Sequence, residues 1–219
     1  MTRVSDVYFI ADDALGIALG PEADRHAVTA RLQQNDDWLD VIPGANSVSV
    51  QFDPLKLSSE EAIERASIAL AQKGKTRKTN SQHWVIPTCY SPQFALDMAD
   101  VCARTGLDRE AIINRHTTPT FTIDMMGFTP GFAYLSSEAF QLDMPRLDAP
   151  RQHVPAGSIG MARNQIGLYA LDGPGGWPII GRTSFKLFDP DMADPFKLNP
   201  GDSLRFEPIS EEDFWTQAK

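Results

Sequence analysis

Residues 158–171, SIGMARNQIGLYAL, contain two short β-like segments, SIGMA and IGLYAL. From residue 118 onward similar segments recur, and glycine and proline separate them. The segments are TFTIDMM, FAYL, SIGMA, IGLYAL, WPII, SFKLF and SLRFEPI. Many short strands with such punctuation are typical of a β-barrel or a β-sandwich. The second half of the chain is therefore predicted to be mostly β.

The first half alternates strand and helix patterns instead. The predicted order is a strand at 14–19, a helix at 22–33, strands at 38–42 and 46–52, a helix from Ser58 to Gly74, and a strand in QHWVIP (82–87). Ser58 followed by Glu61 is a capping-box pattern, which supports the second helix start. This β-α-β-β-α-β order predicts a ferredoxin-like domain, with residues 4–10 as an added strand. The basic stretch 73–78 is predicted to be a solvated turn.

Two helices are expected to lead into the second half. Ser91-Pro92 supplies an N-cap and a first-turn proline, and Leu107 with Ile112 forms a hydrophobic staple around a second start. The predicted division is an α+β domain over residues 1–85 and a mostly-β domain with two leading helices over residues 86–219.

Composition excludes several classes of protein. The chain has 219 residues, 42% of them apolar, and a formal net charge of −9, which fits a packed domain and argues against nucleic-acid binding. No apolar run reaches the roughly 18–20 residues that span a bilayer. Only two cysteines are present, and Asp6, Asp12 and Asp13 interrupt the start of the chain, so we expect a cytoplasmic protein without a secretory signal.

The common self-sufficient catalytic motifs are missing. There is no phosphate loop, and AGSIG (156–160) departs from the G-x-S-x-G elbow because Ala156 replaces the first glycine. Neither the two cysteines nor the four histidines have metal-ligand spacing, so no metal site is predicted. A catalytic function would have to be assembled from scattered groups or shared with a partner.

Polar and backbone-exposing residues of the second half concentrate in four segments, 126–132, 146–151, 155–158 and 173–177. Their glycines would open backbone N–H groups to an anion, and Arg146, Arg151 and Arg182 would bind a carboxylate or phosphate. Two simpler interpretations stay open. The glycines and prolines would only turn barrel corners, and the arginines would form surface ion pairs. From its position at a helix end alone, His116 is more typical of a cap than of a catalytic base.

These segments carry a family resemblance. MGFTPGFAYL (126–135), PRLDAPRQHVPAGSIGMA (145–162), QIGLY (165–169), GPGGWPIIGRTSFKLFDP (173–190) and LNPGDSLRF (198–206) occur in order and resemble the family of the 5-oxoprolinase B subunit. That family includes sporulation-kinase inhibitors and proteins called allophanate hydrolase subunit 1. The resemblance is close over residues 84–209 and looser before them.

The resemblance implies an N-terminal ferredoxin-like domain and a C-terminal cyclophilin-like barrel. It also implies a subunit of an enzyme that opens 5-oxo-L-proline to L-glutamate, with ATP and Mg²⁺ as co-substrate and no permanent cofactor. The expected partners are a protein like the C subunit of 5-oxoprolinase, and an A subunit of the lactam-utilisation type. Two alternatives stay open, a regulator that docks on a histidine kinase and a subunit related to urea carboxylase.

Under this resemblance we assign site residues to two groups. The catalytic group is His116, Arg146, Arg151 and Arg182. The substrate-binding group is Phe128, Pro130, Gly131, Gly157, Ser158, Gln165, Gly175, Gly176 and Trp177. His116, Phe128, Gln165, Trp177 and the three arginines are expected to line one concave surface of the barrel.

Some positions depart from the family pattern. The Gly-Gly-Glu that usually follows Cys-Tyr is missing after Cys89-Tyr90, and Ala162-Arg163 stands where Ala-Gly is common. Because these changes cluster near the expected cleft, they fit a shifted substrate or a paralogue with another activity.

Overall fold

The computed structural model describes residues 7–20, 24–71, 81–193 and 195–218. The chain forms two compact units, residues 1–80 and residues 81–219. The predicted boundary at 85/86 would cut a strand that belongs whole to the second unit. The basic stretch 73–78 lies outside the described residues. No helix in the described part is long and apolar enough to cross a bilayer.

The first unit is an antiparallel sheet with two helices. Its elements are β1 (Val7–Ala11), β2 (Ala14–Ala18), α1 (Arg25–Leu32), β3 (Trp38–Pro43), β4 (Ser47–Phe52) and α2 (Ser59–Ala71). The strand order is β1-β2-β4-β3. Alternate residues such as Leu15, Ile17, Val48 and Val50 are fully buried, as the period-2 pattern of a half-covered sheet predicts. They pack in one core cluster with Ala66 and other buried residues of the helices.

The capping box at the start of α2 is confirmed. The amide of Ser58 donates to Glu61 Oε2 at 2.9 Å, and the amide of Glu61 donates to Ser58 Oγ at 3.3 Å. The bond from the Ser58 amide holds the pKa of Glu61 below its usual value. Two amides that have no partner within the helix are therefore satisfied by side chains.

The predicted last strand of the first unit is placed elsewhere. We expected QHWVIP to complete this sheet, and that expectation is wrong. β1 occupies the edge beside β2, to which a two-residue turn joins it. Such a hairpin forms locally, whereas residues 83–89 have a long-range partner in the second unit.

The second unit contains a closed barrel of seven strands. Its elements are β5 (His83–Cys89), α3 (Met98–Thr105), α4 (Arg109–Thr117), β6 (Phe121–Met126), β7 (Ala133–Ser136), β8 (Arg151–Val154), β9 (Ser158–Ala162), β10 (Gln165–Leu168), β11 (Gly173–Gly175), β12 (Ile179–Thr183), β13 (Ser203–Pro208) and α5 (Glu211–Gln217). The barrel order is β10-β7-β6-β13-β5-β12-β9, and β11 pairs with β8 in a separate ribbon. The barrel alternative is confirmed over the sandwich.

Local details of the second unit differ from expectation. The first leading helix begins at Met98 and not near Ser91, because the amide of Asp97 bonds to Ile179 O at 2.9 Å, outside the helix. SFKLF forms no strand, and only an isolated bridge joins Phe188 to Phe196. GPG (173–175), expected to lie in a loop, is the strand β11.

The parallel pair β5–β13 is anchored by a buried carboxylate. Asp202 is 4% exposed and accepts hydrogen bonds from the amide of Gln82 at 2.8 Å, from Trp84 Nε1 at 3.0 Å and from the amide of Asn199 at 3.1 Å. The amide of Ser203 donates back to Gln82 O at 2.9 Å. Gln82, directly before β5, and Trp84, within it, therefore donate to a buried carboxylate directly before β13.

This anchor predicts how two fragments behave. Residues 81–219 should fold alone, since they keep β5 whole. Residues 86–219 lose Gln82 and Trp84, leave Asp202 without two donors, and should be less stable by at least about 3 kcal/mol or fail to fold. Urea unfolding followed by circular dichroism measures both. Equal stability of the two fragments would contradict the anchoring role of Asp202.

Candidate functional site

Four aromatic side chains form a cluster apart from the barrel's main core. We call Phe132, Tyr134, Tyr169 and Trp177 the aromatic platform. Phe132 lies at the centre, with ring centroids 4.7 Å from Tyr134, 4.9 Å from Tyr169 and 6.2 Å from Trp177. Tyr134 and Trp177 are 5.8 Å apart. All of these pairs are edge-to-face, the arrangement that aromatic quadrupoles favour.

Glycines on two neighbouring strands let the rings approach the backbone. Gly160 of β9 and Gly167 of β10 are register partners. A Cβ at Gly167 would lie 2.7 Å from Phe132 Cζ and 3.1 Å from atoms of the Trp177 ring. Ile159 and Met161, on either side of Gly160, belong to the main core cluster instead. Strand alternation therefore places the glycines and the platform on the outer face of the barrel.

The charge of Arg146 acts on the two tyrosines of the platform. Its side chain is exposed and forms no hydrogen bond or ion pair with the residues that the structure describes. Burial raises the pKa of Tyr134 and of Tyr169, and the Arg146 charge opposes that rise in both. The guanidinium of Arg146 therefore has no partner among the described residues, and its charge acts on both phenols.

Arg151 forms an ion pair with a buried carboxylate. Its Nη1 and Nη2 donate to the two carboxylate oxygens of Asp97 at 2.8 Å and 2.6 Å. Asp97 is 4% exposed and also accepts from the amide of Ile179 at 2.6 Å. This bidentate pair ties β8 to the start of β12, immediately after Trp177-Pro178. Arg151 therefore positions the strands around the platform, although these bonds use only two of its five N–H groups.

Arg182 contacts a backbone carbonyl and two aromatic rings instead of a carboxylate. Its Nε donates to Ala156 O at 2.8 Å, and its guanidinium carbon lies 5.9 Å and 5.8 Å from the ring centroids of Phe94 and Phe214. Burial lowers the pKa of Arg182, and the charge of Asp172 opposes that shift. Among the described residues, these contacts join β12 to α5 and do not include the platform.

His116 lies in the interior of the second unit. It is fully buried, stacks on Phe206 with ring centroids 4.0 Å apart, and its Nδ1 is hydrogen-bonded to Tyr90 Oη at 2.6 Å. Its Nε2 is buried without a hydrogen-bond partner in the described structure. Burial lowers the pKa of His116 from 6.5 to about 3. The ring is therefore neutral at pH 7 and out of reach of a substrate on the barrel surface.

The remaining predicted residues are divided between surface and interior. Phe128 is 63% exposed, has φ +73°, and its ring lies edge-on to Phe132 at 5.5 Å. Gly175 packs under the Tyr169 ring, and the carbonyl of the adjacent Gly176 accepts from the amide of Leu147. The others are Pro130, which is exposed, Gln165, which is half-buried at the start of β10, and Gly131, Gly157 and Ser158, which are buried.

Contacts thus link part of the expected concave surface. Trp177 is part of the platform and Phe128 contacts it through Phe132. The charge of Arg146 acts on both of its phenols, and the charge of Arg151 also acts on Tyr169. His116 and Arg182 have other surroundings. That these groups bind a substrate stays a prediction. In the described ranges no group of three or more His, Cys, Asp or Glu residues could hold a metal ion.

Sequence reasoning missed three residues of this region. Tyr134 and Tyr169 lie in FAYL and QIGLY, where the pattern identifies each only as a strand residue. Their signal was present, since each alternates with buried aliphatic residues and so faces outward. Asp97 gave no such signal, because its partner Arg151 lies 54 residues away.

The buried histidine predicts a pH effect on stability. The unfolded chain binds a proton at His116 below pH 6.5, whereas the folded chain binds it only near pH 3. The free energy of unfolding should therefore fall as the pH drops from 6.5 towards 3, by up to about 1.4 kcal/mol per pH unit for this one group. Denaturant unfolding at several pH values should show a shallower slope for His116→Gln. His153→Gln, at an exposed histidine, is the control; equal slopes for all three proteins would refute the assignment.

The Arg151–Asp97 pair predicts an asymmetry between two variants. Arg151→Ala leaves a buried carboxylate and should cost about 3–5 kcal/mol, whereas Asp97→Ala leaves a guanidinium that water reaches and should cost about 1–3 kcal/mol. The double variant should be less destabilised than the sum of the two. A double-mutant cycle of unfolding free energies measures this coupling, and strict additivity would show that the pair contributes nothing.

Comparisons with known proteins place the chain in a family. The model of the carboxyltransferase domain, subdomain C and D, matches residues 4–198. The chain is 35% identical to the 5-oxoprolinase B subunit of Escherichia coli O157:H7, over 93% of this chain and 96% of that protein. It is 32% identical to the 5-oxoprolinase B subunit of Bacillus subtilis, over 98% of this chain and 97% of that protein.

Solved structures agree with this placement. TTHA0988 is 28% identical with a TM-score of 0.74, and the match covers 90% of this chain and 40% of that chain, so this chain spans less than half of that protein. The Kluyveromyces lactis urea carboxylase matches with a TM-score of 0.76 at 17% identity, over 96% of this chain and 22% of that chain, which shows a shared fold. The chain belongs to the carboxyltransferase C and D domain family, and within it to the family of the 5-oxoprolinase B subunit.

Proposed function

We propose that this chain is the B subunit of an ATP-dependent 5-oxoprolinase, which opens 5-oxo-L-proline to L-glutamate. The near-full-length similarity to proteins named as the B subunit of 5-oxoprolinase carries the proposal. The free guanidinium of Arg146 beside the aromatic platform supports it, because the substrate is a small carboxylate attached to an apolar ring.

The chemistry explains why ATP is needed. A five-membered lactam is a stable amide and a poor electrophile. Transfer of the γ-phosphoryl group to the lactam oxygen releases ADP and gives the ring carbon a leaving group. Water then adds to that carbon, and the carbon–nitrogen bond breaks as the nitrogen takes a proton, which leaves an acyl phosphate of glutamate. A second water hydrolyses this acyl phosphate to the carboxylate and inorganic phosphate. Such a site needs cations and N–H donors more than it needs a nucleophilic side chain.

The described residues supply part of this requirement. Arg146 is free to bind a carboxylate or phosphate. Phe128, whose ring is exposed, offers an apolar wall for the ring methylenes. Arg151 positions the strands through Asp97, and His116 acts only on the stability of the barrel.

Partner proteins complete the proposed enzyme. The chain has no phosphate loop, so ATP with Mg²⁺ is expected to bind mainly through two partners, a protein like the C subunit of 5-oxoprolinase, and an A subunit of the lactam-utilisation type. We place the complex in the cytoplasm, where the free thiols of Cys89 and Cys102 would stay reduced.

A second candidate function rests on a shorter match. The chain is 34% identical to the urea amidolyase of Lachancea kluyveri over 68 residues, which is 29% of this chain and 4% of that protein. This match favours a subunit that acts on a urea-derived amide. Assaying the assembled complex with 5-oxo-L-proline, urea and allophanate separates the two candidates.

The isolated chain should show no turnover, and activity should appear only in the complex. The test is phosphate release from ATP with and without 5-oxo-L-proline, for the chain alone and for the chain co-expressed with both partners. Turnover by the chain alone would refute the shared-site proposal. A complex that hydrolyses ATP only with a urea-derived substrate would favour the second candidate.

Arg146→Ala should lower kcat/KM of the complex by roughly 10- to 100-fold, the cost of one charge-assisted contact. Because Arg146 has no partner among the described residues, the melting temperature should stay unchanged. Arg182→Ala should lower the melting temperature instead, since it removes the contacts to Phe94 and Phe214. Arg115→Ala, at an exposed position of α4, is the control. Unchanged kcat/KM in Arg146→Ala would remove Arg146 from the site.

A further inference from the structure

The edge strand β1 of the first unit carries three consecutive large apolar side chains that face solvent. Tyr8, Phe9 and Ile10 are 47%, 51% and 53% exposed. Elsewhere in the described residues, exposed large apolar side chains are never adjacent in sequence. Such a run is unfavourable on a surface that stays in water, and it is typical of a surface that binds another chain.

The outer backbone edge of β1 has no partner among the described strands. β1 lies at one end of the sheet order β1-β2-β4-β3 and pairs there with β2 alone. The N–H and C=O groups on its other side are therefore available to an added strand. Edge strands are usually protected by charged side chains or proline, and VYFIA (7–11) contains neither.

The opposite edge strand, β3, is protected in this way. Asp40 is exposed within it and Pro43 ends it. Both edge strands contain a register shift, near Ile10 in β1 and near Leu39 in β3, so a bulge does not distinguish them. The difference lies in the charge and the proline, and it leaves β1 as the edge that accepts a strand more easily.

A groove lies between β1 and the first turn of α2. Its volume is about 570 Å³, and it is lined by Phe9, Ile10, Ala11, Asp12, Ser59 and Glu60. Phe9 is the register partner of the buried Leu15, so its side chain lies on the helix side of the sheet. A strand added to β1 would place every second side chain on this side, in the groove.

The charges of the groove indicate what kind of strand fits it. Asp12 and Glu60 are exposed and form no hydrogen bond or ion pair with other residues that the structure describes. Glu64, one turn further along α2, is exposed as well. No basic side chain lines the groove. A strand with apolar side chains beside Phe9 and a lysine or arginine beside the carboxylates is complementary to the groove in both respects.

A second copy of this chain does not meet that requirement. The segment SDVYFIADD (5–13) contains three acidic residues and no basic residue. An antiparallel pair of two such segments would bring their acidic ends together, and like charges on opposite strands are destabilising. The complementary strand therefore belongs to a different protein.

We propose that β1 binds a partner protein by strand addition, in which an extended segment with alternating apolar side chains and a terminal lysine or arginine pairs with the free edge. Main-chain hydrogen bonds along the edge supply part of the affinity. Phe9 and Ile10 contact the apolar side chains of the segment, and Asp12 and Glu60 bind its cation. The proposal does not depend on the reaction proposed above.

Peptides that carry these features test the proposal on the intact chain. The probe is the fluorescein-labelled peptide KVTVTVK, and its control is EVTVTVE, which differs only in the charge of its ends. Fluorescence anisotropy measures binding. We expect KVTVTVK to bind roughly 10-fold more tightly than EVTVTVE at about 20 mM salt. The difference should shrink at about 0.5 M salt, which screens exposed charges.

N-methylation of the peptide tests the backbone pairing. In a strand, the N–H groups of alternate residues point to the same edge. One version of KVTVTVK is methylated on its valine nitrogens and another on its threonine nitrogens, so each version has one edge blocked. We expect one version to lose binding and the other to keep it. Equal binding of both versions would refute strand addition.

Variants of the two edge strands locate the site. Phe9→Thr and Ile10→Thr keep a high β propensity and should each weaken binding of KVTVTVK by roughly 3- to 10-fold, because apolar contact area is lost. Ile42→Thr, at a 49% exposed position of β3, is the matched control and should leave binding unchanged. Equal melting temperatures of Ile10→Thr and Ile42→Thr would show that the loss of binding is not a loss of fold.

A double variant tests the charges. Asp12→Asn combined with Glu60→Gln should remove the preference for KVTVTVK over EVTVTVE, because both carboxylates of the groove are neutralised. A preference that persists in this double variant would place the cation elsewhere and refute the site.

Two further results would overturn the proposal. One is no binding of KVTVTVK up to about 1 mM, or binding that Phe9→Thr and Ile10→Thr leave unchanged. The other is a dimer of the chain in analytical ultracentrifugation that Ile10→Thr converts to a monomer, which would assign the edge to a second copy. Turnover by the proposed enzyme complex enters none of these measurements, so the two proposals fail separately.

Discussion

The parallel pairing of β5 with β13 is the constraint on which the second unit depends. It joins the first strand of the barrel to the last, whereas the other pairs in the described barrel are antiparallel. Closing a sheet removes its exposed edges, so the ladder is complete only when these two strands meet. Asp202 holds them through donors on both sides of the pair. Tyr134 and Arg182 lie on barrel strands that this closure fixes, and the β9–β10 turn joins two more of them.

Closure of the barrel also explains which strand positions point outward. Once the barrel is filled by side chains such as Ile159, Met161 and Ile166, the alternate positions of the same strands point outward. Glycine at 160 and 167 makes those positions flat enough for Trp177 and Phe132 to lie against the backbone. The rings restore the apolar contacts that glycine lacks, and Phe132, Tyr169 and Trp177 are buried as a result.

Local patterns predicted most of the elements and few of their partners. SIGMA and IGLYAL are β9 and β10, and the capping box opens α2, because these signals depend on neighbouring residues. The assignment of QHWVIP to the first unit failed, since its partner Ser203 lies 120 residues away from His83 and no local pattern specifies that pairing. β1 closes the edge in its place because a two-residue turn costs little entropy. The ferredoxin-like and cyclophilin-like assignments stay predictions.

Site prediction selected segments whose substrate-binding role stays a prediction, and it could not rank the residues within them. Arg146, Arg151 and Arg182 are equivalent as sequence letters, and only their partners separate them. The Asp97 carboxylate, with no signal in the sequence, satisfies Arg151, and Phe94 and Phe214 hold Arg182 against the C-terminal helix. An arginine held by partners in the protein supports the fold, whereas one without partners is available to a ligand. By that criterion Arg146 is the arginine of the predicted set that has no partner among the described residues.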